Sequence, residues 1–317
     1  MNNSRPRVDI VVCACGNKEI TSRCLDSLMS LTYPNYGVIL VDDGSNDGSA
    51  KYLRNKYPKV NIVENSRNLG AAKSRNRGIN LSQAKYIVTM DNDAALTPNW
   101  LVQMVDLMES DKNIAQASGK ILFFDNPKLL AEAGGSMQFR GKCYDIGLGQ
   151  SADDKKYSQT RRVLIVSTAS MIVRRDALKR LGGIADIYYY GYEDSDLSYR
   201  INSAGYKVIY YPEAVSYHAL STTVVKTIGK KRVYYWMRNR LLMMLRNYEL
   251  KNLIKYLPSN IRFTLGDCYH HPERIIPTIL AWLWIIFNLP RIFIQRAKIN
   301  RLRTVKDAEL HKLFNLE

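Results

Sequence analysis

Cysteine is scarce in this chain: five residues (Cys13, Cys15, Cys24, Cys143, Cys268), an odd number, with no Cys-x-x-Cys pair and no Cys/His cluster. That excludes a disulfide-stapled scaffold and a thiolate zinc site, and the thiols read as small buried residues in a reducing compartment. Apolar runs are short. Ile275 to Pro290 holds 16 residues without a charge, interrupted by Pro277 and Asn288, against the roughly 20 apolar residues that a spanning helix requires. Met1 to Arg7 is polar and runs straight into Val8-Asp9-Ile10-Val11-Val12-Cys13, so no signal peptide is expected there. Acidic residues are the third shortage: 46 Lys plus Arg face 29 Asp plus Glu, a net charge of +17. From Lys226 to Glu317 the balance is 18 basic to 6 acidic, so +12 of the excess lies in the last 92 residues.

The company this charge keeps decides what it meets. It is interleaved with Val233-Tyr234-Tyr235-Trp236-Met237, Leu241-Leu242-Met243-Met244-Leu245 and the run from Ile275. Clustered aromatics and aliphatics beside cations suit a membrane surface, whereas single-stranded nucleic acid is met by aromatics spread over a sheet face. No nucleic-acid partner is expected. For residues 275–294 the first expectation is a re-entrant or interfacial helix anchored by Trp282 and Trp284, then a buried core helix, then a true span.

The chain is long enough for one large domain or two smaller ones. Strand-like and helix-like runs alternate: Val8 to Ala14, Glu19 to Met29, Tyr36 to Val41, Ser49 to Lys56, Asn61 to Glu64 and Ala71 to Leu81, then the apolar strand Tyr86 to Met90 that ends at Asp91. This rhythm predicts an α/β fold with a mostly parallel central sheet. Further strands are expected at Val163 to Val166, Met171 to Val173 and Lys207 to Tyr211, the last stopped by Pro212, with a helix over Asp194 to Ser203. Turn-rich α/β character ends near Leu220, which predicts domains at 1–222 and 223–317, the second helical, basic and membrane-associating. No internal repeat is evident.

Two acidic groups carry the chemistry. Glu193-Asp194-Ser195-Asp196 packs three carboxylates into four residues, and Asp91-Asn92-Asp93 closes a buried strand. Like charges this close require a cation, an arginine or a shared proton, although such runs also form solvated turns and helix N-termini. Acids at the C-terminal end of a central strand lie where open α/β sheets bind ligands. Val41-Asp42-Asp43-Gly44-Ser45 reads either as a tight Asp-Gly turn with a helix cap or as an acceptor for a nucleobase imide. Gly70, followed by Lys73, Arg75 and Arg77 at a helix start, reads as a phosphate-attracting N-terminus or as a solvated amphipathic helix.

The order Val-Asp-Asp-Gly-Ser, Arg-Asn-x-Gly-x-x-x-x-Arg-Asn, Asp-x-Asp and Glu-Asp-x-Asp-Leu-x-x-Arg, ending in a lone His, resembles the family 2 inverting glycosyltransferases of GT-A fold. It is most similar to the rhamnosyl- and galactofuranosyl-transferase-like branch that builds surface polysaccharides. The resemblance covers roughly residues 7 to 220 and implies a Rossmann-like GT-A domain that takes a sugar from a nucleotide-diphosphate donor to a glycan or lipid-linked acceptor. It implies nucleobase contact for Asp43 with Asp42 in support, and a nucleotide and diphosphate wall from Arg67, Gly70 and Arg75. Asp91 and Asp93, completed by His218, would bind Mn2+ or Mg2+ against the diphosphate, the imidazole favouring Mn2+. Asp194 matches the general base, Glu193 orients it or touches the acceptor, and Asp196 and Arg200 brace the helix. Cys13-Ala14-Cys15-Gly16-Asn17 replaces the Pro-Thr-like step that usually ends the first strand, and Ser167-Thr168-Ala169-Ser170 replaces a Ser-Gly-Ala step near the acceptor. Gly134-Gly135 to Gln150 resembles the loop that covers the donor sugar.

Two other functions fit parts of the pattern. A sugar nucleotidyltransferase would open with a Gly-rich loop bearing Lys or Arg, for which Cys15-Gly16-Asn17-Lys18 is a poor match. A catalytically inactive membrane adaptor of the same fold would not need the full set of acids. The expected location is cytoplasmic, peripheral at the membrane face.

Overall fold

The structure is a computed structural model and describes residues 5–219, 229 and 231–316. The domain boundary expected at 222/223 lies outside the described residues.

The first half follows the alternation of the sequence. β1 (Val8–Ala14), α1 (Lys18–Met29), β2 (Tyr36–Asp42), α2 (Ser49–Lys56), β3 (Asn61–Glu64), α3 (Ala71–Leu81) and β4 (Tyr86–Asp91) form successive parallel crossovers, with β1 between β2 and β4. The central strands β1, β2 and β4 are largely apolar because helices cover both faces of the sheet, whereas the edge strand β3 has exposed polar ends at Asn61 and Glu64. Val8, Ile10, Val12 and Leu40 point to one face with Leu25 and Leu28 of α1, while Val11, Val41 and Ile87 meet Ala72 and Ile79 of α3 on the other.

The sheet continues through β5 (Ala94–Leu96), α4 (Trp100–Ser110), β6 (Ile114–Phe123), β7 (Leu130–Glu132), β8 (Gly135–Met137), β9 (Cys143–Asp145), β10 (Arg161–Arg162), β11 (Ser170–Arg174), α5 (Arg175–Arg180), α6 (Glu193–Ser203) and β12 (Lys207–His218). Its order is β10-β12-β6-β11-β4-β1-β2-β3, with β5 paired to β12 and β7 to β6. β11 runs antiparallel between β4 and β6, so the sheet is mostly parallel with an inverted strand near its middle.

Several local expectations are corrected. Val163 to Val166 is not a strand, although Ile165 makes one isolated bridge to Gly135; the paired strand is Arg161–Arg162. Pro212 does not end the last strand. β12 passes it in a bulge, Tyr211 pairing with Gly119 and Val215 with Lys120, which is where a sheet tolerates a residue without an N–H. Gly119 makes the bulge possible, since a Cβ there would lie 1.8 Å from the Ala214 carbonyl oxygen. The expected covering loop at 134–150 contains a small hairpin, β8 paired to β9.

The C-terminal region is helical: α7 (Lys231–Asn247), α8 (Leu250–His270), α9 (Ile275–Leu302) and α10 (Asp307–Leu313). It shares a core with the sheet region. Leu242, Met243 and Leu245 of α7 pack with Ile187, Tyr188 and Tyr199 around α6. Fully buried Asp196 ties the two together, pairing with Arg200 at 2.7 Å and with Arg246 of α7 at 3.0 Å. Arg200 braces α6 as expected; Asp196 does more and holds α7 against it. α9 runs for 28 residues, longer than its apolar run suggested. Buried Ala281, Ile285 and Ile292 seat it on the molecule, while Ile276, Leu280, Leu283, Ile286 and Phe287 stand exposed, so it is not a core helix. By length and composition it is the one helix among the described residues able to cross a membrane.

Candidate active site

A cleft of about 410 Å3 opens at the C-terminal ends of β1 and β4, and it gathers Asp43, Gly70, Arg75, Asp91, Asp93, Glu193, Asp194 and His218. Strand register explains the first cluster. Ala94 pairs with His218, the last residue of β12, which brings the preceding Asp93 beside the imidazole. His218 Nε2 lies 3.0 Å from Asp93 Oδ1 and 3.8 Å from Asp91 Oδ2. One donor atom from each of Asp91, Asp93 and His218 lies within 4.8 Å of the others, an arrangement that could hold a divalent cation. Burial pulls the His218 pKa down. The hydrogen bond and charge of Asp93, with the charges of Asp91 and Asp145, outweigh that and hold it above its ordinary value.

Arg75 explains how so many acids share one space. Its buried guanidinium donates to Glu193 Oε1 at 2.8 Å and grips Asp91. Burial lowers its pKa, and the two carboxylates overcome that and hold it well above the ordinary guanidinium range. Arg75 is thus the cation that joins the metal-type acids to the first turn of α6, rather than only a wall of the cleft.

Asp194 sits one residue further on and opens to the cleft. Ser195 fixes its Oδ1 by an N–H at 2.6 Å and a hydroxyl at 3.1 Å. Burial, reinforced by the charge of Glu193, lifts its pKa to about 7, against the opposing Ser195 hydrogen bonds. The turn before it is held by α7: Asn239 Nδ2 donates to the carbonyls of Tyr190 and Gly191 at 2.7 and 2.9 Å. Tyr192, which caps α6, sits at φ 73, in left-handed space that a bulky side chain enters only under constraint.

Asp43 borders the cleft with its carboxylate largely engaged. Its Oδ1 accepts from Asn65 Nδ2 and the Leu69 N–H, both at 2.8 Å, and its Oδ2 from the Gly70 N–H at 3.0 Å. These bonds shape the 65–70 turn. Gly70, at φ +87, passes so close to Tyr189 that a Cβ would lie 2.7 Å from it. Asp42 does not line the cleft; it is buried and accepts from Ser45. Arg67 is exposed and outside the cleft lining, its backbone passing beneath Gly44. Cys13 and Cys15 line the cleft, Cys13 while also packing against the core beneath it.

Sequence reasoning assigned no role to Asn68, Glu132, Asp145, Tyr189 and Tyr190, which also line the cleft. Glu132 and Asp145 arrive on β7 and β9. Burial raises the pKa of both, that of Glu132 aided by the charge of Asp145. The available signal was an acid inside the small-residue run Leu130-Ala131-Glu132-Ala133-Gly134.

Residues 9–182 match the family model "Glycosyl transferase family 2". An uncharacterised glycosyltransferase of Haemophilus influenzae is 31% identical over 112 residues, 34% of this chain and 35% of its own length. The match to YibD of Escherichia coli, 29% identical, likewise spans 37% of that protein, so the chain matches little more than a third of either. Glycosyltransferase AglE of Haloferax volcanii is 24% identical over 90% of this chain and 93% of its own. Among solved structures, GalNAc-T7 with UDP, GalNAc and Mn2+ has a TM-score of 0.64 at 14% identity, covering 91% of this chain and 58% of its own. The mannosyltransferase PcManGT of Pyrobaculum calidifontis, with GDP-Man and Mn2+, has a TM-score of 0.58 at 18% identity, covering 99% and 89%. These likenesses show the GT-A fold. With a family match over more than half its length, on the segment that carries Asp43, Gly70, Arg75, Asp91 and Asp93, the chain belongs to glycosyl transferase family 2.

Proposed function

We propose that this protein is a metal-dependent inverting glycosyltransferase, moving a sugar from a nucleotide-diphosphate donor to a hydroxyl of a glycan or lipid-linked acceptor at the cytoplasmic face of a membrane. One observation carries the reading: Asp91, Asp93 and His218 converge within 4.8 Å in the same cleft as Asp43 and Asp194. The order of the acidic motifs and the downstream His supports the rhamnosyl- and galactofuranosyl-transferase-like branch.

Asp43 uses three of about four acceptor directions internally, which leaves one on Oδ2 for a base imide. Asp91, Asp93 and His218 would hold Mn2+ or Mg2+, which would supply positive charge to neutralise the leaving diphosphate. The imidazole favours Mn2+. Asp194, with Oδ1 fixed by Ser195, offers Oδ2 to the acceptor hydroxyl, and a pKa of about 7 suits a base near neutral pH. Attack opposite the leaving diphosphate in a single displacement inverts the anomeric centre. Glu193, anchored by Arg75, orients the α6 N-terminus under the acceptor. The exposed apolar side of α9 supports the membrane location.

Calorimetry of UDP-, dTDP- and GDP-sugars with Mn2+ and then with EDTA tests this. One nucleotide class should bind only with metal, and Asp194→Asn should keep that binding while losing transfer. Failure of every donor under every metal condition would overturn it.

A further inference from the structure

A second, larger groove of about 830 Å3 lies away from the cleft, walled by α3, α5 and the C-terminal end of α9. Its rim carries Lys73, Arg77, Lys179, Arg180 and Lys298, and its one acid is Asp186. Deeper in the wall, Arg200 and Arg246 are neutralised by Asp196. The rim is not: among the described residues none of its five cations pairs with a carboxylate, and Asp186 is drawn to Arg291 at 3.6 Å. Concentrated cations with no internal counter-charge make a site for an anion with several negative oxygens.

The groove is continuous with an apolar surface. Leu283, Phe287, Arg291, Ile294, Lys298 and Arg301 recur at intervals of three and four on α9 and so share one face. Leu283, Phe287 and Ile294 are 44%, 80% and 60% exposed. The stripe begins apolar and ends cationic at the groove. That order matches a bilayer edge, with acyl chains beside the apolar turns and phosphates beside the Lys and Arg.

We propose that this groove binds the phosphate of anionic lipid headgroups and thereby sets the tilt of the cleft over the membrane. The proposal rests on the membrane reading above, and it goes beyond the basic tail because Lys73, Arg77, Lys179 and Arg180 belong to the sheet region.

The test is co-sedimentation of the full chain with phosphatidylcholine vesicles, with and without phosphatidylglycerol, for the wild type and for Lys179→Ala/Lys298→Ala. Both lysines are exposed and make no side-chain hydrogen bond among the described residues, so the variant should fold and keep the wild-type melting temperature. The expected result is a wild-type preference for phosphatidylglycerol that falls by about 30-fold in the variant, with phosphatidylcholine binding retained. An unchanged preference would overturn the groove and leave the membrane reading standing. Absence of wild-type binding to either vesicle would overturn both. Inorganic diphosphate is the parallel probe: if it binds in a lysine-dependent way while the vesicle preference is insensitive to the lysines, the groove takes a soluble phosphate and the lipid assignment falls.

Discussion

Arg75 Nη1 donates to Glu193 Oε1 at 2.8 Å, and through this contact α3 carries the N-terminus of α6. Because the same guanidinium grips Asp91, one side chain ties the Asp91–Asp93–His218 cluster to the first turn of α6. Replacing Arg75 by Met leaves two carboxylates facing each other in a confined space. The expected cost is about 3–5 kcal/mol, the range for removing one partner of a buried ion pair. Lys in its place keeps the charge but cannot fork to both acids, so it should recover stability more than turnover. Chemical denaturation and steady-state transfer measured on the two variants check this, and equal recovery of both properties would sink the bridging role.

Asp194 should govern the pH profile. Burial, with Glu193 close by, raises its pKa to about 7, and Asp43, Asp91, Asp93, Glu132 and Asp145 line the same cleft. As a base it works only when ionised, so kcat should climb as pH rises through about 7 and level off above. The folding linkage has the opposite sense. A raised carboxyl pKa penalises the folded state once the group ionises, with no penalty where both states are protonated, below about pH 4. Asp194→Asn should therefore melt roughly 3–5 °C above the wild type at pH 8 and at the same temperature near pH 4. Its kcat should fall by about 10²–10⁴. Melting curves at the two pH values and transfer assays read both effects, and a variant with the wild-type pH profile would exclude the role.

The parts of this molecule that were legible in its sequence are those where one periodicity acts alone. α2, β3 and α3 begin and end where apolar spacing and glycine punctuation put them. β12 was cut short because Pro212 is a good stop signal unless a bulge absorbs it, and the bulge depends on Gly119, far away in the chain. The site divides in the same way. Asp91 and Asp93 stand at a strand end and could be suspected locally. Their meeting with His218, 125 residues away from Asp93, came only from motif order, since sheet register across β5 and β12 is not written in any window. Arg67 falls outside the cleft lining because motif position does not say which way a side chain points, and Glu132 and Asp145 were missed because each is a lone acid in a short strand.

Sheet register also makes the Asp91–Asp93–His218 cluster sensitive to a residue outside it. Gly119→Ala would drive a methyl group into the Ala214 carbonyl and shift β12 along β6. His218, at the end of that strand, should lose its approach to Asp93. Mn2+ affinity, followed by calorimetry, should drop by at least about tenfold in this variant, and to a similar degree in His218→Ala. Asp93→Ala should abolish the effect of EDTA on donor binding by removing the metal altogether. If Gly119→Ala folded with wild-type Mn2+ affinity, the bulge would have no part in aligning His218.

The C-terminal helices reach the turn before Asp194 through Asn239. This fully buried residue of α7 donates to the Tyr190 and Gly191 carbonyls and so fixes the turn that holds Tyr192 at φ 73 just before Glu193 and Asp194. Strain of this kind persists only where its surroundings impose it. Asn239→Leu keeps the volume, leaves the Tyr190 and Gly191 carbonyls with nothing to accept from and removes the side-chain oxygen to which Arg238 Nε donates, at a cost of about 2–4 kcal/mol. The Asp196–Arg246 pair and the shared apolar core should still dock α7, so the variant should fold. Its kcat should fall at least about tenfold while donor affinity stays near wild type, because Asp43, Asp91 and Asp93 stand at or just beyond the ends of β2 and β4, positions set by the sheet and not by the Asn239 contacts. Stopped-flow donor binding alongside transfer rates separates the two. A parallel loss of donor binding would mean that α7 supports the whole cleft, whereas unchanged kcat would mean that the turn holds its shape without Asn239.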